Sequence, residues 1–119
     1  MAAIAAKQLL DSLDVQTLEP REALHHAAQT YLEYAKNHPR LYTLLMQPQP
    51  SQGTQKELWN KFLALIGAIT HNPDDTESAV AFWAFLHGYA SLEQNGAFGS
   101  SGAGNAFETG LETWLRGLA

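Results

Sequence analysis

Histidine and glutamate are the residues in this sequence best suited to bind a metal, and one pair has a suitable spacing. Glu22 and His25 form a Glu-x-x-His element, in which residues three apart on a helix both reach one ion of a di-metal bundle. Such a site needs a second copy, but no other histidine has a glutamate three residues before it. His25 and His26 lie about 100° apart around a helix and cannot easily share an ion. We therefore expect a solvated helix face and no metal site.

Nucleophilic catalysis has equally little support. Cysteine is absent, which removes thiolate nucleophiles, zinc-thiolate sites and disulfides together. The segment Gly99-Ser100-Ser101-Gly102 is followed by Ala103, so it lacks the second glycine of a Gly-x-Ser-x-Gly elbow. It also lacks the lysine of a phosphate-binding loop, and a flexible linker is the simpler interpretation. The sequence thus predicts no enzyme, no catalytic residue and no cofactor. A small helical-bundle enzyme that uses His87 with a tyrosine as acid and base is the alternative.

Aromatic side chains give a stronger indication, for binding rather than catalysis. The chain carries more aromatic surface than six short helices need, and ligand pockets are mostly apolar with a few well-placed polar groups. Histidine and the tyrosine hydroxyl groups would supply those polar groups. We predict a small-molecule pocket formed by Tyr31, Tyr34, Tyr42, Trp59, Phe62, Trp83 and His87. The alternative is that these residues belong to the core, with a buried His87 hydrogen-bonded to a neighbouring helix.

An eight-residue apolar run, Ala79 to Leu86, continues directly into His87-Gly88. A helix that is apolar all round must be covered on more than one side. Small residues at steps of three and four on this helix and on the last one would let another backbone approach closely. Such packing would also offset the roughly 1 kcal/mol that each internal glycine costs a helix. We predict a homodimer interface at Ala81, Ala84, Gly88, Ser91, Ala106, Gly110, Thr113, Trp114 and Gly117. The alternative is that the two strips pack within one chain.

Helix signals recur along the chain and strand signals do not. This pattern predicts an all-α fold, a six-helix bundle with orthogonal and antiparallel packing that dimerises through its last two helices. Pro20 and Pro39 suit the first turns of two of these helices. The predicted helices cover residues 3–14, 20–37, 40–46, 54–72, 73–95 and 105–118.

Capping residues predict several helix ends. Thr54-x-x-Glu57 has the form of a capping box, and Asn105-x-x-Glu108 repeats the same logic before the last helix. Asn72, followed by proline and two aspartates, is the predicted N-cap of the helix that contains the apolar run. Gly96 suits the C-cap of that helix.

Composition indicates one globular domain over residues 1–119. The hydrophobic fraction is 45%, and the net charge is -5, with the seven Lys and Arg residues spread thinly along the chain. DNA-binding proteins usually gather basic residues into a patch, so this chain should not bind DNA on its own. A signal-peptide pattern is absent, and no stretch reaches the roughly 18 apolar residues of a membrane span. We expect a cytoplasmic protein with no membrane partner.

Three segments carry a resemblance to a known family. Tyr31 to Tyr42 contains an aromatic segment that leads into a His-Pro-x-Leu-Tyr turn, and Trp83-x-x-x-His87-Gly88 is followed by Gly96-Ala-Phe98. The third segment is the amphipathic stretch 107–118. Together, over about residues 1–118, they resemble the C-terminal regulatory domain of tetracycline repressor (TetR) family transcription regulators. The subgroup with a Trp-x-x-x-His-Gly signature is the most similar.

The resemblance implies an all-helical effector-binding and dimerisation domain. The last two helices would form a homodimer, the preceding ones would enclose a pocket for an unknown, largely apolar small molecule, and Trp83 and His87 would lie near that ligand. Ligand binding in this family changes the affinity of N-terminal helix-turn-helix domains for DNA. Those domains have no counterpart here, and residues 1–15 would match the connecting helix. The chain therefore resembles either a truncated regulator or a free-standing sensing domain, with DNA contacts only through the missing domain. A protein-interaction module is a further alternative.

Overall fold

Helices are the only regular structure in the part of the chain that the computed structural model describes, residues 18–47 and 53–118. They are α1 Pro20–Asn37, α2 Pro39–Met46, α3 Gly53–Thr70, α4 Thr76–Gln94 and α5 Ala106–Gly117. The prediction of an all-α fold is confirmed. The sixth predicted helix, within the connecting segment 1–15, lies outside the described residues. None of the described helices is both long and apolar enough to cross a membrane.

Proline begins two of these helices, as predicted. Pro20 and Pro39 occupy the first turns of α1 and α2, where an amide hydrogen has no intrahelical acceptor and its loss costs nothing. Between the two helices, the backbone N–H of His38 donates to the carbonyl of Tyr34 at 2.9 Å. The connection is therefore a single residue, and it keeps α2 packed against α1.

The start of α4 differs from the prediction by three residues. The sequence predicted Asn72 as the N-cap, but Asp75 occupies that position, and its carboxylate accepts a hydrogen bond from the Ser78 N–H at 3.2 Å. The Asn72 side chain instead accepts from the Asp74 N–H at 3.0 Å. That local bond forms an Asx turn, which competes with helix formation at the same residues.

The turn between α3 and α4 lies directly against the last turns of α3. His71 adopts a left-handed backbone conformation with φ 60°, which reverses the chain after the helix. A Cβ atom on Gly67 would lie only 2.9 Å from the carbonyl oxygen of Asn72 and 3.1 Å from the Cα of Pro73. Glycine at position 67 therefore permits a close backbone approach, a role that the sequence analysis did not assign.

The end of α4 is the predicted glycine cap. Gly96 has φ 70°, the left-handed conformation that glycine adopts at low cost. The N–H of Ala97 donates to the Leu92 carbonyl at 2.9 Å, and the N–H of Gly96 donates to the Glu93 carbonyl at 3.1 Å. These two bonds form a Schellman motif, which satisfies carbonyl groups that the helix leaves free.

The start of α5 follows the prediction in position but not in contacts. Asn105 is the N-cap, yet its side chain makes no capping hydrogen bond. Glu108 instead reaches α1, where its carboxylate lies 2.8 Å from His25 Nε2 and accepts from the Gln29 amide at 2.6 Å. Gln29 and His25 hold the pKa of the Glu108 carboxyl below its usual range. The other predicted capping box depends on the side chain of Thr54, which lies outside the described part of the structure.

The core lies where α1, α3 and α4 meet, because each of these helices contacts the other two. The α2 and α5 helices pack on α1. Aromatic rings occupy the centre: the ring centroids of Tyr31 and Phe62 are 5.9 Å apart, and those of Phe62 and Phe82 are 5.6 Å apart. The large, fully buried side chains are Tyr31, Tyr42, Phe62, Phe82, Leu24, Leu45, Leu58, Ile66, Leu86 and Leu111.

Candidate functional site

An apolar groove lies on the surface where α2, α3 and α4 meet. Its volume is about 510 Å³, and its lining residues are Met46, Trp59, Val80, Trp83, Ala84 and His87. Two indole rings stack along it, with the centroids of Trp59 and Trp83 6.2 Å apart and their planes inclined by 24°. Among the described residues that line the groove, His87 alone carries an ionisable group, its imidazole. The groove therefore offers a flat aromatic surface with one polar group beside it.

A chain of hydrogen-bonded side chains connects this groove to the core. The indole N–H of Trp83 donates to the hydroxyl of Tyr31 at 3.1 Å. The hydroxyl groups of Tyr31 and Tyr42 are 2.7 Å apart, and the Tyr42 hydroxyl lies 2.5 Å from Nδ1 of His87. The Tyr31 hydroxyl also lies 3.8 Å from the sulfur of Met46. The two ends of this hydrogen-bonded series, Trp83 and His87, both line the groove. The buried tyrosines between them therefore fix the orientation of the groove wall.

Burial keeps Tyr31 and Tyr42, the two tyrosines of the hydrogen-bonded series, protonated. It raises the pKa of Tyr31 to about 12. It also raises the pKa of Tyr42 far above its ordinary value, and the adjacent Tyr31 adds to that increase. General acid-base catalysis at neutral pH needs a pKa that is shifted towards 7, whereas both of these values are shifted away from it. The contact between Tyr42 and His87 therefore has the properties of a structural hydrogen bond.

Four of the seven predicted pocket residues lie away from the groove surface. Tyr31, Tyr42 and Phe62 lie in the core behind it, each at most 2% exposed. Tyr42 also borders a second groove of about 400 Å³, which shares Met46 and His87 with the first. Tyr34 is separate, because its ring packs against that of His38 with a centroid distance of 5.2 Å. The other three, Trp59, Trp83 and His87, line the groove itself.

Three further residues line the groove that the sequence analysis did not include in the pocket. Val80 is 56% exposed and shares a helix face with Trp83 and His87, so its helical spacing was a usable signal. Ala84 was assigned only to the predicted interface, yet it borders the groove as well. Met46 comes from α2, and no local pattern could connect it with residues of α4.

The two strips of small residues predicted for the dimer interface are largely exposed. In the α4 strip, Ala81 and Ala84 are exposed while Gly88 and Ser91 are partly buried. In the α5 strip, only Gly110 is partly buried. The two strips comprise Ala81, Ala84, Gly88 and Ser91 on α4, and Ala106, Gly110, Thr113 and Gly117 on α5. Trp114, also predicted for the interface, packs against Phe82 with a ring centroid distance of 5.0 Å.

The glycines in these strips differ in what surrounds them. A Cβ atom on Gly110 would lie 3.1 Å and 3.2 Å from two ring carbons of Phe85, so packing between α4 and α5 explains this glycine. A Cβ on Gly88 or Gly117 would meet no atom within 4 Å. Within the described residues, close packing therefore accounts for only one of the three glycines.

Polar contacts fasten the first turns of α1 to α5. The guanidinium of Arg21 donates to the carbonyl of Leu115 at 2.5 Å and to that of Leu118 at 2.8 Å. Carbonyl groups in the last turn of a helix have acceptor positions to spare, and Arg21 donates to that of Leu115, which also accepts from the Leu118 N–H. These bonds and the two made by Glu108 form one set, the α1–α5 clamp. Its side chains are Arg21, His25, Gln29 and Glu108.

The clamp contains the histidine of the Glu-x-x-His element, because His25 pairs with Glu108 of α5. Across residues 18–47 and 53–118, no group of three or more histidine, aspartate or glutamate side chains is placed to hold a metal.

Comparison with protein families gives a match over most of the chain. A family model described as "Tetracyclin repressor-like, C-terminal domain" matches residues 24–114, which include every residue that lines the groove. Comparison with curated proteins and with solved structures finds no significant match.

Proposed function

The chain belongs to the tetracycline repressor-like C-terminal domain family, and from this we propose that residues 1–119 form the effector-binding and dimerisation domain of a TetR-like transcriptional regulator. Domains of this family are regulatory rather than enzymatic and typically dimerise and bind small ligands. We also assign the chain to the subgroup with a Trp-x-x-x-His-Gly signature, on the basis of Trp83, His87 and Gly88.

The proposed effector is a small, largely apolar molecule bound in the groove beside α4. The observation that supports this most strongly is the stacked pair Trp59 and Trp83 at the surface. Large aromatic side chains usually bury their faces in the core, and an exposed apolar patch commonly marks a binding site. The buried Tyr31 and Tyr42 hold Trp83 and His87 in place, so the wall is ordered before a ligand arrives, which lowers the entropic cost of binding.

A thermal-shift screen of small apolar compounds tests this proposal. A ligand at 100 times its Kd should stabilise the protein by about 2.7 kcal/mol. We expect the compounds that stabilise the wild type to lose their effect on Trp83→Ala and on Trp59→Ala, each compared with its own ligand-free melting temperature. Trp114→Ala is the matched control, because Trp114 packs on Phe82 away from the groove, and it should respond like the wild type. Equal responses in all three variants would place binding elsewhere.

We propose that the α4 and α5 strips form a two-fold homodimer interface. The support comes from Gly88, where a Cβ atom would meet nothing within one chain, although an internal glycine costs a helix about 1 kcal/mol relative to alanine. Close approach of a second copy would explain this residue. Leu92, 50% exposed, would also be covered. In a two-fold dimer each α4 meets the same patch on its partner, which forms a four-helix interface with α5.

Gly88→Arg tests the dimer without damaging the monomer. A Cβ atom at this position meets no atom within 4 Å in the isolated chain, and arginine favours a helix more than glycine does. Placed between two closely packed helices, however, a pair of arginines would be buried without partners. Light scattering at micromolar concentration should therefore give a dimer for the wild type and a monomer for the variant. Ala68→Arg, the same charge change at an exposed position of α3, should stay dimeric. A monomeric wild type would refute the proposed interface.

We propose that α1 transmits ligand binding to a helix-turn-helix DNA-binding domain of the regulator. At one position α1 contacts the groove wall, through the bond between Tyr31 and Trp83. At its first turns α1 is fastened to α5 by the clamp. A ligand that prefers one position of Trp83 thus also prefers one position of α1. Coupling free energies of this kind are typically about 1–3 kcal/mol.

A further inference from the structure

We infer that the effector presents a hydrogen-bond acceptor, such as a carbonyl oxygen, to Nε2–H of His87 while an apolar ring lies against Trp59 and Trp83. This inference rests on the proposed function, because it specifies the chemistry of the molecule bound in the same groove. The support is the direction of donation along the buried hydrogen bonds that connect Trp83 to His87 through Tyr31 and Tyr42.

The direction of hydrogen-bond donation can be assigned first at Trp83. An indole nitrogen can only donate a hydrogen bond, so Trp83 donates and the oxygen of Tyr31 accepts. The hydroxyl proton of Tyr31 then has two candidate acceptors, the Tyr42 oxygen at 2.7 Å and the sulfur of Met46 at 3.8 Å. A thioether is a weak acceptor, and the oxygen is also much closer. Tyr42 could donate to Tyr31 instead, but the Tyr31 proton would then be left with the thioether of Met46. We therefore infer the arrangement in which Tyr31 donates to Tyr42.

The same argument carries the direction on to His87. The oxygen of Tyr42 accepts from Tyr31, so the proton of Tyr42 is free to point at Nδ1 of His87, 2.5 Å away. Nδ1 is then an acceptor and carries no hydrogen. A neutral imidazole has one N–H, which must therefore be on Nε2. The buried chain thus selects the Nε2–H tautomer of a histidine that borders the groove.

The Nε2–H group is available to a ligand. The hydrogen bond to Tyr42 is the only one that His87 makes within the described residues, and its side chain is exposed. A purely apolar compound that covers this group would take the donor out of water without replacing the lost hydrogen bond. A penalty of that kind is about tenfold or more in affinity. A compound with an acceptor at this position avoids it, so the groove should discriminate between the two.

Two probes of nearly equal shape test the inference. Acetophenone and isopropylbenzene differ in that a carbonyl oxygen replaces a methyl group. Dissociation constants can be followed through the indole N–H resonances, of which the chain has three because it has three tryptophans. Because the carbonyl oxygen must itself leave water, the informative quantity is the ratio of the two dissociation constants. We expect this ratio to favour acetophenone about tenfold more in the wild type than in His87→Asn, with both probes shifting the resonances of Trp59 and Trp83 and leaving that of Trp114 unchanged.

Two substitutions of His87 test the roles of its two ring nitrogens separately. His87→Asn places an amide at the distance of Nδ1, so it can still accept from Tyr42 but cannot reach the groove, and the preference for acetophenone should vanish. His87→Gln extends a donor to the distance of Nε2 and should keep most of the preference. A ratio of the two dissociation constants that is the same in the wild type and in His87→Asn would overturn the inference and leave the proposed function intact. Binding of neither probe would overturn it too, and the compound screen would then decide the proposed function separately.

Discussion

Phe62→Ala is expected to lower the free energy of unfolding by about 3–5 kcal/mol. The Phe62 side chain is fully buried, and its ring contacts those of Tyr31, Phe82 and Trp83 at centroid distances of 5.9, 5.6 and 5.7 Å. Removing it leaves a cavity where three helices meet. Since domains are stable by only about 5–15 kcal/mol, the variant should be marginally folded at room temperature. Urea unfolding followed by circular dichroism measures the loss.

Phe98→Ala is the matched control for this prediction. Phe98 lies in the connection between α4 and α5, is only partly buried and makes one ring contact, with Tyr89 at 5.1 Å. Surrounding water can fill the space that its ring leaves, so we expect a loss of about 1 kcal/mol. Similar losses for the two variants would show that the cluster around Phe62 is not the centre of the core.

Tyr31→Phe is expected to destabilise the protein by about 2–3 kcal/mol, although it removes a single oxygen atom. The loss leaves the indole N–H of Trp83 without its acceptor and removes one of the two hydrogen bonds of the Tyr42 hydroxyl, which keeps its bond to His87. A buried polar group without a partner costs about 1–3 kcal/mol. One unpaired indole N–H, which water can partly reach, and one lost hydrogen bond between the tyrosines, about 0.5–1.5 kcal/mol, together account for the expected loss. Thermal or urea unfolding measures the change.

Tyr34→Phe is the same substitution in a different environment. The Tyr34 hydroxyl is buried and has no hydrogen-bond partner in the described structure, so removing it relieves an unpaired group instead of creating one. We expect unchanged or slightly higher stability. A loss as large as that of Tyr31→Phe would mean that the hydrogen-bonded chain contributes nothing beyond the burial of its rings.

The helix ends that the sequence predicted correctly are those set by local chemistry. Pro20, Pro39 and Gly96 act through their own backbones, so their neighbours in sequence are sufficient to assign them. The start of α4 was misplaced because Asn72 and Asp75 are both good N-caps, and the choice between them depends on the packing of the turn against α3. Glu108 was misassigned for a related reason, since His25 and Gln29 of α1 compete for its carboxylate.

The groove residues also divide into those that the local sequence predicts and those that depend on tertiary packing. Trp83 and His87 are four residues apart on one helix, and their common face is visible in the sequence. Tyr31 and Tyr34 are also neighbours on one helix, yet the first is bonded to Trp83 while the second packs on His38. Helical spacing places both on the same side and cannot separate them. The contribution of Met46 from α2 requires the tertiary structure.

The α1–α5 clamp has a consequence for how the chain folds. Its hydrogen bonds join residues 79 to 97 positions apart, whereas the bond between Tyr31 and Tyr42 spans 11. Closing a longer loop costs more entropy, and contacts across most of the chain form slowly. The α5 helix should therefore dock after the rest of the bundle has formed and detach before it unfolds. Amide hydrogen exchange would detect this as a cooperative opening of α5 at a lower free energy than global unfolding, and association with a second copy would slow that opening.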